Sequence, residues 1–457
     1  MIACPGCGAN LTFDIESQQM HCAYCNEHYD PYDFDSMEKD AEKEKDFDAW
    51  VYRCPQCGAE LMTTEETDAT AFCPYCGGTS LLFDKLRREK RPDYIIPFQL
   101  TKEQCKQAYR REARKAIFTP ARYKREELVD SFRGIYMPYW SYRVEQKGDV
   151  AIDASGGSYR DGDYICTPKY EIRGKIDTAY EGVSHDASRA FDDEISECLE
   201  PYDAKKRLPF TPGFLSGFYA DVADESPRKY RNMVKDYAEQ ETARQIFHDA
   251  GVRSKESSNA IRMSGTAGIR VPTQITRIDR VFYPVWFMSY REGDRLTYAT
   301  VNGQTGKVVA DFPISPLRFL LAALLCAALL FLPLNFFLTL KPETALITTT
   351  ALLVTGVLLS ARQYRALCKR FEGTDRLRQE TGYASFLTFA KIMTVLGVLV
   401  CAGILIAAPV YNLAFYIPCL AEAAFLFLVI FQTFRFQMKL AMRRPPQFNK
   451  TGGNDHA

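Results

Sequence analysis

The sequence predicts a multi-domain chain: two small cysteine-rich β modules, a larger α+β domain, and a C-terminal region of four transmembrane helices. Three observations carry that expectation. Four Cys-x-x-Cys pairs lie within the first 76 residues, strand and helix patterns mix over 92–312 without a βαβ rhythm, and long runs after Phe312 carry almost no charge. The 57 Lys+Arg balance the 57 Asp+Glu only on average. Residues 1–83 hold 4 basic and 16 acidic side chains, whereas residues 84–133 hold 15 basic and 8 acidic. That layout excludes a single globule, a disordered chain and a uniformly basic nucleic-acid binder.

The N-terminus, MIACPGCGAN, shows no apolar run behind a basic start, so no signal peptide is expected. The thiols are then expected to stay reduced and available for metal. Cys4-Pro-Gly-Cys7-Gly is followed by Cys22-Ala-Tyr-Cys25, and Cys54-Pro-Gln-Cys57-Gly by Cys73-Pro-Tyr-Cys76-Gly-Gly. Two residues between cysteines let one tight turn aim both sulfurs at one ion. Two such turns supply the four thiolates that Zn²⁺ accepts tetrahedrally. A left-handed residue is needed after each second cysteine, which Gly provides and Asn26 tolerates. Leu11, Phe13 and Ile15 alternate with polar residues and turn at Ser17-Gln18-Gln19, as a hairpin does. The expectation is two zinc ribbons, at 1–29 and 51–83, each holding one structural Zn²⁺. A rubredoxin-type iron centre has the same donor set, and redox Cys-x-x-Cys motifs come singly beside a βαβ pattern. His21 and His28 are expected at the surface. The acidic linker 30–50, with Phe34, Met37, Ala41, Phe47 and Trp50 at no clean helical spacing, reads as a solvated spacer helix or a partner-binding segment.

Residues 84–312 form the α+β domain. Thr101 and Gln104 make a capping box for a helix reaching about Ile117, and a second helix is expected over Arg122–Phe132. Lys102, Lys106, Arg110 and Arg114 recur every fourth residue. That basic stripe is a solvated face, or it meets the anionic leaflet or the acidic ribbons. Ile135-Tyr-Met-Pro138-Tyr-Trp140 resembles Val281-Phe-Tyr-Pro284-Val-Trp286, suggesting an internal pseudo-repeat of strands with proline at an edge or bulge. Leu296–Val301, Asn302–Gly306 and Lys307–Phe312 read as a hairpin. A long helix is expected from Ser226-Pro227 to near Ala250-Gly251. There is no Gly-rich phosphate loop and no Gly-x-Ser-x-Gly. Asp192, Asp193 and Glu194 cannot converge from one helix face, and His185 and His248 are isolated, so no enzyme is expected.

Phe319–Leu340 is 22 residues without a charge. Ala345–Ser360, Ile392–Ala408 (extended back to Phe386) and Val410–Phe434 complete four expected spans. They form hairpins at 313–361 and 386–434, separated by a basic loop 362–385 and followed by a basic tail 435–457. Arg362, Arg365, Lys369, Arg370, Arg376 and Arg378 mark the loop, and Arg435, Lys439, Arg443, Arg444 and Lys450 the tail. The positive-inside rule places both segments, and with them both termini, in the cytoplasm of a plasma-membrane protein. Glu422, inside the fourth run, reads as a carboxyl bonded to a neighbouring helix, with Asn335 as the expected partner, or as part of an ion relay.

The ribbons, together with Leu208-Pro-Phe210 and Phe214-Leu-Ser-Gly-Phe-Tyr219 and the C-terminal helices, resemble bacterial TFIIB-type zinc-ribbon proteins anchored in the membrane, of the YdjG type. Proteins of that type are encoded beside phage-shock and flotillin-like proteins. The resemblance implies an anchor or scaffold that recruits such envelope-stress proteins. Nucleic acid is disfavoured as a ribbon partner. Phosphate contacts need Lys and Arg, and two Zn(Cys⁻)₄ centres take 1–83 to a formal charge of about −16. Two further classes stay open: a membrane-tethered nucleic-acid binder using 84–133, and a small transporter or channel resting on Glu422. Membrane lipid is an expected partner, and an oligomer is compatible with every reading.

Overall fold

The computed structural model describes residues 2–34, 46–64, 73–78, 82–155, 158–167, 169–249, 269–292, 295–322, 325, 329, 341–370, 382–407 and 416–443. Two strands organise the head, Arg133–Ser155 and Thr273–Glu292. They pair antiparallel, with Tyr136 opposite Pro284 and Pro138 opposite Phe282, so the two tryptophan-bearing segments share one sheet. Residues 134–139 and 281–289 are buried without interruption, as in a sheet covered on both faces. Side chains alternate between two cores. Tyr136, Phe282, Trp286 and Met288 enter one, while Ile135, Met137, Tyr139, Val281, Tyr283, Val285 and Phe287 enter the other.

Both prolines stand in interior strands, not at an edge. The outer flank changes partner beside each of them. At Pro284 it passes from Tyr94–Ile95 to Arg295–Asn302, and at Pro138 from Tyr219–Asp221 to Lys169–Asp186. The missing N–H therefore falls in a gap between partners. Each proline carbonyl still accepts an N–H, from Gly303 and from Ala187, both at 2.8 Å.

The sheet runs on from Arg133–Ser155 through Tyr219–Asp221, Glu60–Thr63 and Asp46–Arg53 to Leu82–Lys90. The strands around the second cysteine group are thus part of the main sheet. Residues 46–50, read from sequence as spacer helix, are strand because Phe47, Ala49 and Val51 alternate inward. Met37 and Ala41 lie outside the described residues. The first module is a separate sheet of Leu11–Asp14, Gln19–Cys22 and His28–Tyr29.

Helix Lys102–Lys115 opens with the expected Thr101/Gln104 capping box. The second expected helix is instead a 3-10 turn, Ala121–Lys124, and a short helix, Glu126–Val129, broken by extended Arg125. This segment neutralises half of the basic stripe: Lys106 lies 2.7 Å from Asp130, and Arg110 pairs with Glu126. Helix Arg231–Asp249 covers the outer parts of the long strands.

Three C-terminal helices, Pro342–Arg370, Gly382–Ala407 and Tyr416–Ala441, are long and apolar enough to cross a membrane. Their polarity is inverted. Leu352, Leu359, Ile392 and Leu399 are exposed, whereas Thr350, Thr394, Glu422 and Thr433 are buried among the helices. Glu422 lies 2.9 and 3.0 Å from the Thr350 hydroxyl. The expected partner Asn335 and most of the expected first span, Phe319–Leu340, fall outside the described residues, although 316–322 are helical.

Candidate metal centres

Each Cys-x-x-Cys turn repeats one backbone pattern. The first cysteine donates its N–H to a carbonyl five residues on, and the N–H four residues on donates back to its carbonyl. Cys4 does so with Ala9 and Gly8 (2.7 and 2.8 Å), Cys22 with Glu27 and Asn26 (3.0 and 2.8 Å), Cys54 with Ala59 and Gly58 (2.8 and 2.9 Å), and Cys73 with Gly78 and Gly77 (2.7 and 2.9 Å). The turn carries a positive φ at its fourth step: 75° at Gly8, 61° at Asn26, 82° at Gly58 and 68° at Gly77. That is the left-handed conformation which the sequence demands of Gly and of the single Asn.

These turns bring the eight cysteines together as two groups, Cys4, Cys7, Cys22 and Cys25, and Cys54, Cys57, Cys73 and Cys76, with sulfurs within 4.8 Å of one another in each. Cys4–Cys25, Cys7–Cys22 and Cys54–Cys76 are 3.5 Å apart, and Cys57–Cys73 3.6 Å. A disulfide would need about 2.0 Å. Thiolates bonded to zinc at about 2.3 Å form a tetrahedron with edges of about 3.8 Å. Each group could hold one metal ion and is compatible with zinc. Four sulfurs leave no open position, so such an ion cross-links the chain. His21 and His28 stand apart from both groups; their rings lie 4.8 Å apart, and His21 is 2.9 Å from the Asn26 side chain.

Thiols in such contact share protons unevenly. The Tyr29 hydroxyl, 3.5 Å from Cys4, draws that thiol down to about 6. A bond from Cys73 draws Cys54 down to about 6, while the same contacts push Cys73 up. A bound metal ends this competition by displacing the protons.

The two groups sit in different surroundings. In the first, Cys7 is exposed; in the second, all four cysteines are buried. The first module rests on residues 210–218. Phe13 packs edge-on against Phe214 with ring centres 5.2 Å apart, the Phe13 N–H donates to the Ser216 carbonyl at 3.1 Å, and the Ser216 hydroxyl donates to the Leu11 carbonyl at 2.5 Å. Gly217, at φ 85°, turns the chain past Thr12. In the sequence this aromatic-glycine segment carried only a family resemblance, with no sign that it is a seat. Phe214→Ala should cost about 3–5 kcal/mol of that packing. The expected result is lost hydrogen-exchange protection at 11–22 with metal content unchanged; full protection would show that the seat lies elsewhere.

Around the second group, Tyr75 donates its hydroxyl to Asp221 at 2.5 Å, and its carbonyl accepts the Tyr298 hydroxyl at 2.5 Å. Ser188 also donates to Asp221, whose carboxyl burial pushes up to about 7. The Arg443 guanidinium lies 5.1 Å from the Tyr298 ring centre. Arg443, just past the last apolar helix, is itself buried. It pairs with Asp192 and, at 3.2 Å, with Asp311, and exchanges two 2.7 Å backbone bonds with Leu296. In the sequence it counted only as tail charge.

No family model matches the chain, and no solved structure matches it. Over 320 residues it is 30% identical to a Bacillus subtilis (strain 168) protein named "Uncharacterized protein YdjG", covering 68% of this chain and 89% of that one.

Proposed function

The chain belongs to the family of YdjG, and on that premise we propose that it is a membrane-anchored zinc-ribbon adaptor. Its cytoplasmic head gathers envelope-stress proteins of the phage-shock or flotillin-like type at the plasma membrane. It is not an enzyme. The observation that carries this reading is the joining of two closed four-cysteine groups to helices that are apolar outside and polar inside. Closed groups stabilise a binding surface and offer no site for chemistry.

Zinc and the TFIIB-type ribbon class are part of the proposal, supported by the paired turns and the three-stranded sheet of the first module. The matched settings of Pro138 and Pro284 support a pseudo-repeat. Four spans with both termini inside are supported by contacts at each end of the apolar region. Ser315 donates its N–H to the Phe118 carbonyl at 2.8 Å, and Arg443 bonds to Leu296. A chain that leaves the head and returns to it crosses an even number of times. Arg362, Arg365, Lys369, Arg435 and Lys439 favour the cytoplasmic side.

Affinity purification of the full-length protein from membranes in mild detergent tests the reading. Two zinc ions per chain and enrichment of coat-like or flotillin-like proteins are expected. Nuclease-sensitive co-purification, or ion flux in vesicles that Glu422→Gln abolishes, would replace the adaptor with a nucleic-acid binder or a transporter.

A further inference from the structure

We propose that a groove between helix Lys102–Lys115 and the hairpin turn at 306–308 binds anionic phospholipid headgroups of the membrane that the C-terminal helices enter. The groove, of about 690 Å³, is lined by Arg111, Arg114, Lys115, Lys307 and Glu112, four cations against one anion. Lys115 is 2.7 Å from Glu112, and Lys307 donates to the Glu200 carbonyl. Arg111 and Arg114 are exposed and have no ion pair among the described residues. The guanidinium fork matches two phosphate oxygens, and weak hydration suits it to an interface.

Position names the source of the phosphate. The helix runs directly into Ile117–Thr119, which touches the start of the apolar region. The Phe118 carbonyl accepts the Ser315 N–H at 2.8 Å, and the Thr119 carbonyl accepts from Arg318 at 2.7 Å. The Phe118 ring packs on Phe319 at 5.6 Å, and Phe319 stacks on Phe434 of the last helix at 5.3 Å. Phe118 thus lies level with the end of the uncharged runs. Beside it, Ile117 is 73% exposed. An uncovered isoleucine at that level, two residues past Lys115 of the basic groove, matches the order of a leaflet, with acyl chain next to phosphate. A free phosphate or a soluble acidic peptide would have no use for Ile117. The inference rests on the membrane reading above and is independent of the adaptor role.

The test uses the full-length protein in mild detergent, titrated with short-chain phosphatidylglycerol or phosphatidylcholine, with bound lipid counted by native mass spectrometry. Wild type should prefer phosphatidylglycerol. Arg111→Gln with Arg114→Gln should weaken that binding about 25-fold, at about 1 kcal/mol per cation near the surface, and leave phosphatidylcholine unchanged. Lys307→Gln, a milder variant, should weaken it about fivefold with metal content intact. Ile117→Ser should weaken the lipid but not inorganic phosphate. Equal retention of the two lipids, an unaltered double variant, or displacement by equimolar inorganic phosphate would overturn the proposal. Recovery of wild type in the soluble fraction would instead sink the membrane reading.

Discussion

Cys73→Ser is expected to leave the head unable to fold, while Cys7→Ser costs one ion and leaves the main sheet standing. Cys73 is fully buried, and its group joins the core that holds Tyr139, Tyr283 and Phe287. The strands flanking it, Asp46–Arg53 and Glu60–Thr63, belong to the main sheet. A structural zinc site contributes about 10–16 kcal/mol, and a domain's whole margin is about 5–15 kcal/mol. Losing this ion therefore consumes the margin. Serine offers no thiolate, and its hydroxyl would sit among sulfurs in a dry core. Cys7 is exposed, on a module with its own three-stranded sheet. Elemental analysis and thermal melting of the full-length variants decide the matter. Cys7→Ser should hold one zinc and keep the main transition; Cys73→Ser should be recovered only as aggregate or fragments. Equal melting of the two would mean that the buried group does not support the sheet.

Arg443→Ala should cost about 3–5 kcal/mol, because it strips the counter-charge from an enclosed carboxylate. Asp311 carries most of that cost; Asp192 keeps a side chain 37% exposed and can turn to water. Burial already raises the Asp311 carboxyl above its ordinary range, with Arg443 opposing the rise. Without the guanidinium, the folded state holds that proton over a wider pH range than the unfolded chain, whose aspartates titrate near about 3.9. A raised carboxyl means that stability falls as pH rises through the window between the two values. The defect should therefore be larger at about pH 7 than at about pH 5. Chemical denaturation of Arg443→Ala at both pH values measures it, and adding Asp311→Asn should restore much of the loss. A defect equal at both pH values would show that lost packing against Tyr298 is responsible.

What the sequence disclosed was short-range. The cysteine turns, the left-handed Asn26, the hairpin around Gln18 and the Thr101 cap each depend on residues a few positions apart, so residue type and spacing suffice. What it hid was long-range. Tyr75 meets Asp221 across 146 positions, and Arg443 meets Asp192 across 251. No periodicity in either segment encodes the other. The prolines show a local rule misapplied: a missing N–H excludes proline from a continuous ladder, but a strand that changes partner has a gap even in the interior. The spacer reading of 46–50 failed similarly, because a segment's own polarity says little once a distant sheet offers it an edge.

The long strand pair is gripped on both faces, by one cysteine group that reaches solvent and by another that does not. Two ions held by these groups, as proposed, should therefore keep different time. A chelator would strip the outer one within the breathing of a surface turn. The inner one would leave only at the rate at which the whole sheet opens, so its half-life is a clock for global unfolding read from the full-length protein.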